Sequence, residues 1–178
     1  MRKYGILTQT IFFSIILAGI FGIIHDQITF SICPEYFTKF KYRQFNFTAE
    51  DFGSDRLTVA AIGFLATWWV GTFMRVVLGF TCLLLKDSNM MKSVVIKSLQ
   101  IIFLITIFFS FLGFIYGRYY LTQKGVDWWL PDDLNDLKGF ITVGSIHNFS
   151  YIGGIIGLMA GIGFVLHKKY KQPVSKTS

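Results

Sequence analysis

Charged residues are scarce in this chain of 178 residues, where Asp, Glu, Lys and Arg together make up 15%. Ordinary soluble domains carry about 25% charged residues. Hydrophobic residues reach 53%, which excludes a disordered or collagen-like chain. The chain has only two cysteines, Cys33 and Cys82, so it is neither a disulfide scaffold nor an enzyme with a Cys-x-x-Cys redox pair.

Long apolar runs take the place of the missing charge. They cover about residues 6–24, 58–85, 93–116 and 139–166. A helix needs about 20 apolar residues to cross a hydrocarbon core about 30 Å thick. Within lipid, the backbone N–H and C=O groups of such a run can be hydrogen-bonded inside the run only if it is helical. None of the three prolines falls inside a run. The sequence therefore predicts one all-α transmembrane domain over residues 1–178, a four-helix bundle with outer loops at 25–57 and 117–138.

The first run follows Met1-Arg2-Lys3 and could be read as a signal peptide. It is about 19 residues long, however, and no small-x-small cleavage site precedes His25. We expect an uncleaved first span.

The net charge of +7 is distributed unevenly along the chain. With the N-terminus inside, the inner segments hold nine basic residues against one acid, and the outer loops hold seven basic and nine acidic residues. This asymmetry predicts that both termini of this multi-pass membrane protein are cytoplasmic. Because the membrane orientation accounts for the excess of basic residues, we expect the protein to interact with the lipid bilayer and not with nucleic acid. The sequence leaves open whether the chain also binds a second copy of itself or another membrane protein.

Counting about 20 residues outward from each inner end places His25, the Trp68-Trp69 pair and His147 at one level, the outer rim of the bundle. Both histidines share a helix face with small residues, which mark where membrane helices approach closely. The imidazoles are therefore predicted to point into the bundle. The glycine ladder of Gly153, Gly157 and Gly161 predicts a helix-packing face.

Two histidines and a carboxylate are a usual ligand set for Zn²⁺ or non-haem Fe²⁺. His25, Glu35 and His147 form the candidate metal site, with Asp26 either as a ligand or as the group that orients a ligating histidine. Tyr36, Trp68 and Tyr151 are predicted to wall this site. The alternative is a structural cluster in which His25 and Asp26 hydrogen-bond each other and cap the first span, while His147 bonds a hydroxyl such as that of Tyr151. Ionisable groups inside a membrane bundle are costly, which favours the functional interpretation.

Other chemistries receive less support from the sequence. His25 and His147 could ligate one haem. Arg75 lies near the middle of the second span, where it snorkels toward the inner interface, bonds carbonyls and hydroxyls such as that of Thr72, or lines a polar cavity that binds an anion. No span contains Asp or Glu, so a proton-coupled transporter lacks an obvious relay. Residues 39–47 alternate polar or basic with aromatic side chains, which predicts a segment lying along the membrane interface.

Residues 22–29 read Gly-Ile-Ile-His-Asp-Gln-Ile-Thr, and residues 34–40 read Pro-Glu-Tyr-Phe-Thr-Lys-Phe. These segments resemble a family of small uncharacterised bacterial integral-membrane proteins that carry His-Asp-Gln-x-Thr and Glu-Tyr-Phe-Thr after their first span. The resemblance extends to residues 66–71 and 147–151. It implies a four-span inner-membrane protein and no particular activity. The matching positions include the rim histidines, which favours a site there.

Overall fold

The structure is a computed structural model that describes residues 3–171. It contains four long helices: α1 (Lys3–Ile32), α2 (Asp55–Cys82), α3 (Ser88–Tyr116) and α4 (Leu137–Tyr170). All four are long and apolar enough to cross a membrane, and the described residues form no strand. The predicted all-α membrane architecture is confirmed. Two of the nine inner basic residues counted in the sequence, Arg2 and Lys176, lie outside the described residues.

Side-chain caps fix the start of three helices. The side chains of Ser54, Asp87 and Asp136 accept hydrogen bonds from backbone N–H groups three residues later, at the starts of α2, α3 and α4. α1 continues to Ile32, about two turns beyond the predicted end of the first span. His25 and Asp26 therefore lie inside a helix, so the alternative in which they cap the first span is wrong, whereas the hydrogen bond predicted between them is present.

Small residues set the register of α1 against α2. A Cβ added at Gly22 would lie 2.1 Å from the carbonyl oxygen of Gly63, so the two backbones are in direct contact there. The Thr67 hydroxyl donates to the Ala18 carbonyl at 2.8 Å, and Gly71 lies against Ala18. With this antiparallel register, His25 is level with about Ala60 on α2.

The α3–α4 pair is also closed by small residues. A Cβ added at Gly153 would lie 2.6 Å from Cβ of Phe109, and one added at Gly157 would lie 2.9 Å from Cα of Ile102. Gly113 on α3 faces Ile146 and Phe149 in the same way. The glycine ladder of α4 is confirmed as a packing face. The bundle is thus built from two tightly packed hairpins, α1–α2 and α3–α4.

The segment between α1 and α2, residues 33–54, is here called the outer segment, and the end of the bundle over which it folds is called the outer end, after the orientation predicted from the sequence. It is helical from Pro34–Tyr36, through a π-helical turn at Phe37–Lys41, to Tyr42–Phe45. Phe37, Lys41 and Tyr42 are buried, the aromatic pair in a cluster with residues of α1, α2 and α4. The expectation that residues 39–47 lie along the membrane interface is wrong for Lys41 and Tyr42, because these side chains are buried in the protein instead.

Candidate metal site and the adjoining cavity

Three of the predicted site residues come together near the outer end of the bundle. His25, Asp26 and His147 each offer one ligand-capable atom within 4.8 Å of the others. Nδ1 of His25 is 3.2 Å from Oδ1 of Asp26, and Nε2 of His147 is 3.8 Å from the same oxygen. Because α1 and α4 belong to different hairpins, this cluster joins the two halves of the bundle.

Both histidines have a buried nitrogen that makes no hydrogen bond. Nε2 of His25 and Nε2 of His147 lack a hydrogen-bond partner among the described residues. A buried polar atom without a partner is costly and is uncommon in native proteins. The hydrogen bond from Nδ1 of His25 to Asp26 leaves Nε2 of that ring available as a ligand, the arrangement that carboxylates commonly impose on metal-binding histidines.

Aromatic rings hold the imidazole of His147 in place. The Tyr36 ring stacks on it, with centroids 5.0 Å apart and an interplanar angle of 16°. The ring of Phe37 packs edge-on against the same imidazole, with the two ring centroids 6.2 Å apart. The predicted wall residue Tyr36 therefore lies against the cluster. Burial raises the pKa of the Tyr36 phenol, so this side chain remains neutral.

Glu35 is the predicted ligand that lies elsewhere. Its carboxylate accepts hydrogen bonds from the backbone N–H groups of Asn135 and Asp136, at 3.0 and 2.7 Å, and forms an ion pair with Lys39 at 2.8 Å. Lys39 and the two backbone amides lower the pKa of Glu35 to about 2. Glu35 thus ties the outer segment to the start of α4 and does not belong to the cluster.

Trp68 was predicted to stand at the level of the histidines, and the helix register places it deeper. Ala60 is level with His25, so Trp68 is about 12 Å further into the bilayer. Counting the same number of residues from the inner end of each span gave the wrong level for Trp68. The contact between Gly22 and Gly63 sets the register of α1 against α2, and that register differs from the one that equal counting assumed. Trp68 is partly exposed and does not line the cavity described below, whereas Trp69 does.

A cavity of about 510 Å³, here called the central cavity, begins at the cluster and runs between the two hairpins. His25, Asp26 and His147 line one end of it, together with Tyr151, another predicted wall residue. Its remaining surface is predominantly apolar and comes from all four long helices. The cluster therefore borders a space large enough for a small-molecule ligand.

Lys41 also lines the polar end of the central cavity. Its side chain is buried and its ammonium bonds Oε1 of Gln44 at 3.2 Å. Burial lowers the pKa of Lys41, and the negative charge of Asp26 opposes that effect. The sequence did not single out Lys41 as a site residue, because it lies in the 39–47 segment that was predicted to follow the membrane interface. Its spacing of four residues from Phe37 was the available signal, since residues four apart share a helix face.

Arg75 is fully buried and does not line the central cavity. Its guanidinium donates to the hydroxyl of Thr10 on α1 rather than to Thr72, whose hydroxyl bonds the Trp68 carbonyl. Nε and Nη1 of Arg75 have no hydrogen-bond partner among the described residues. The structure thus joins Arg75 to α1 and not to the histidine cluster.

The ring geometry does not suit a haem between the two histidines. Their centroids are 4.7 Å apart and the rings meet edge to face at 82°. A haem ligated on both faces would insert its macrocycle between the two imidazoles. This arrangement leaves no room for it, whereas a single small cation needs only the ligand atoms to converge.

Comparison of the chain with models of protein families, with curated proteins and with solved structures finds no match.

Proposed function

We propose that this chain is a bacterial inner-membrane protein, with both termini in the cytoplasm, that binds a divalent cation between His25, Asp26 and His147. The site lies toward the periplasmic end of the bundle and faces the central cavity. The observation that carries the proposal is the pair of buried Nε2 atoms that have no hydrogen-bond partner among the described residues and lie beside a buried carboxylate. Two imidazoles and a carboxylate suit Zn²⁺ or Fe²⁺ and leave positions open for water or a further ligand.

Coordination would account for the cost of burying these groups. A metal ion supplies the partner that each Nε2 lacks, and the carboxylate offsets part of the ion's charge. The ligand-capable atoms now lie within 4.8 Å of one another. Small rotations of the three side chains would bring each of these atoms to about 2.0–2.2 Å from a shared metal ion. The stacked Tyr36 would keep the His147 ring oriented during this adjustment.

A purely structural cluster is the second candidate. It is favoured by the hydrogen bond between His25 and Asp26 and by the ring contacts of His147, which exist without a metal. In that case the protein is a non-enzymatic component of the membrane, and the cluster serves only to hold the hairpins together. The two candidates differ in whether added metal stabilises the fold.

Thermal unfolding of the purified full chain in detergent, with and without Zn²⁺, separates them. A ligand at about 100 times its Kd stabilises by about 2.7 kcal/mol, and about 1 kcal/mol moves Tm by about 2–4 °C in a domain of this size. We expect a rise of about 5–10 °C in the wild type and in His167→Ala, and none in His147→Ala. An equal rise in all three proteins, or no rise in the wild type, contradicts the metal site.

The orientation is tested with reporters fused to the C-terminus. A fluorescent protein that matures only in the cytoplasm is expected to be bright, and alkaline phosphatase, active only in the periplasm, is expected to be inactive. The reverse result would place the histidine cluster toward the cytoplasm and overturn the periplasmic assignment.

A further inference from the structure

The central cavity is polar at one end and apolar along the rest of its length. The cluster residues and Lys41 stand at the outer end, whereas Phe21, Phe103 and Leu158 are among the residues that line its body. A ligand that fits both parts has a polar head and a hydrocarbon tail. Water or a free ion would leave the apolar body without a matching occupant.

The depth of the central cavity matches one leaflet of the bilayer. On α4 it extends from His147 to Leu158, a distance of about 16 Å along the helix axis. The hydrocarbon core is about 30 Å thick, so one leaflet contributes about half of that. A lipid chain whose head lies at the outer end would therefore end near the bottom of the cavity.

One side of the central cavity is open toward the lipid. Trp69 and Phe73 on α2, and Tyr151 and Ile155 on α4, line the cavity and are also exposed on the surface of the bundle. On the side of α1 and α3, the rings of Phe21 and Phe103 meet edge to face at 5.7 Å. A chain could therefore enter sideways between α2 and α4 without leaving the membrane.

With a divalent cation at the cluster, the charges at the polar end favour an anionic head. Lys41 contributes a buried positive charge, and Asp26, the acidic residue that lines the cavity, offsets it. A divalent cation at the cluster would raise the positive total above what one carboxylate can offset. Buried charge of one sign is costly until a partner of the other sign is bound.

From this geometry we infer that the central cavity binds one hydrocarbon chain of a lipid that carries a phosphate or carboxylate head. The chain lies between the two hairpins, and the head contacts Lys41 and the bound cation. The cation's part in binding the head rests on the proposed metal site. Lys41 and the apolar body of the cavity do not depend on it.

Native mass spectrometry of the full chain in detergent tests the tail. The probe is 1-oleoyl lysophosphatidic acid, which has one chain and a phosphate monoester. Gly154→Leu adds a side chain inside the cavity, where its Cβ first meets the flexible end of Met74 at 2.9 Å. Gly163→Leu is the matched control on the same helix, since nothing lies within 4 Å of its added Cβ.

We expect one bound probe per chain, with affinity at least tenfold lower in Gly154→Leu and unchanged in Gly163→Leu. Thermal unfolding of both variants confirms that they are folded. Equal binding by Gly154→Leu and the wild type would place the lipid on the outer surface of the bundle and overturn the inference.

The head is tested with matched ligands and Lys41→Met. Monooleoylglycerol, which lacks phosphate, is expected to bind at least tenfold more weakly, and Lys41→Met is expected to weaken binding of the lysophosphatidic acid to a similar extent. Glycerol 3-phosphate, which lacks the chain, is expected not to displace the lipid. Displacement at equal concentration would identify a site for free anions and contradict a lipid ligand.

Metal content measured on the same preparations separates this inference from the proposed function. If the wild type binds Zn²⁺ but Gly154→Leu and Lys41→Met bind the probe normally, the lipid inference fails and the metal site stands. If the wild type binds no metal but both variants lose the probe, the metal site fails and the lipid inference stands without the cation.

Discussion

The imidazole of His147 lies face to face with the ring of Tyr36, their centroids 5.0 Å apart. This contact connects the outer segment to α4, and through His147 it connects that segment to Asp26 on α1. The π-helical turn that follows Tyr36 sets Phe37 and Lys41 over the same cluster. π-helical turns occur frequently at functional sites, which agrees with a site here.

Replacing Tyr36 tests whether its ring or its hydroxyl matters. Tyr36→Phe keeps the stacked ring, so we expect stability and Zn²⁺ affinity close to those of the wild type. Tyr36→Ala removes a buried aromatic side chain and is expected to lower the free energy of unfolding by about 3–5 kcal/mol. Thermal unfolding and zinc titration of both variants check this. A large loss of zinc affinity in Tyr36→Phe would assign a direct role to the phenol.

Glu35 provides a pH-dependent connection between the outer segment and α4. Its pKa in the folded protein is about 2, lowered by Lys39 and by backbone amides at residues 135 and 136. A lowered carboxyl pKa stabilises the fold at pH values above the ordinary pKa of 4.5. This contribution is lost as the pH falls from 4.5 through about 2, where the folded protein takes up the proton. We therefore expect Glu35→Gln to lower Tm at pH 7.

The difference in Tm between the wild type and Glu35→Gln is expected to narrow as the pH is lowered from 5 toward 2. Using the difference removes the effect of other carboxylates, which titrate in both proteins. A difference that stays constant with pH would show that the Glu35 charge does not stabilise the fold. Zinc affinity at pH 7 is expected to be the same in both proteins, because Glu35 lies outside the cluster.

Close contact of Gly22 with Gly63 is predicted to be the most sensitive point of the α1–α2 hairpin. Gly22→Ala would place a methyl group 2.1 Å from a backbone carbonyl oxygen, and backbone cannot rotate away as a side chain can. We expect the free energy of unfolding to fall by about 1–3 kcal/mol or more. Gly163→Ala, where the added Cβ meets nothing within 4 Å, is the control and is expected to leave Tm unchanged or slightly higher.

Arg75 is predicted to cost stability rather than supply it. Its guanidinium is fully buried and donates to Thr10, while Nε and Nη1 have no hydrogen-bond partner among the described residues. Replacing a buried charged group by an apolar side chain of similar volume is often neutral or stabilising. Arg75→Met is therefore expected to keep or raise Tm. A fall equivalent to several kcal/mol would show that the charge is well compensated in the membrane.

The fold could be predicted from the sequence because the hydrocarbon core imposes a single rule on every span. Four long apolar runs without proline gave four helices, and the small-residue positions gave the packing faces, as Gly153 and Gly157 show. The end of α1 could not be placed, because Asp26 and Gln27 look like the start of a loop. Inside the folded protein, burial of Asp26 beside the two histidines and the bond of Gln27 to the Arg56 carbonyl accommodate both side chains in the helix.

The cluster was predicted only in part. His25, Asp26 and His147 could be brought together by counting depth and following small-residue faces. Glu35 was included because it follows α1 closely in sequence, but the backbone amides at residues 135 and 136 hold it elsewhere. Trp68 was placed by an assumed common depth, and glycine contacts shift the register. Long-range contacts of this kind leave no local mark in a single sequence.

Elemental analysis of the purified protein, with His147→Ala and His167→Ala prepared in the same way, tests the metal site most directly. The proposed site predicts about one divalent cation per chain in the wild type and in His167→Ala. It predicts loss of that cation in folded His147→Ala, since a bound transition metal needs its imidazole ligands. A wild type without bound metal after incubation with Zn²⁺ or Fe²⁺, or a His147→Ala protein with undiminished metal, would contradict it.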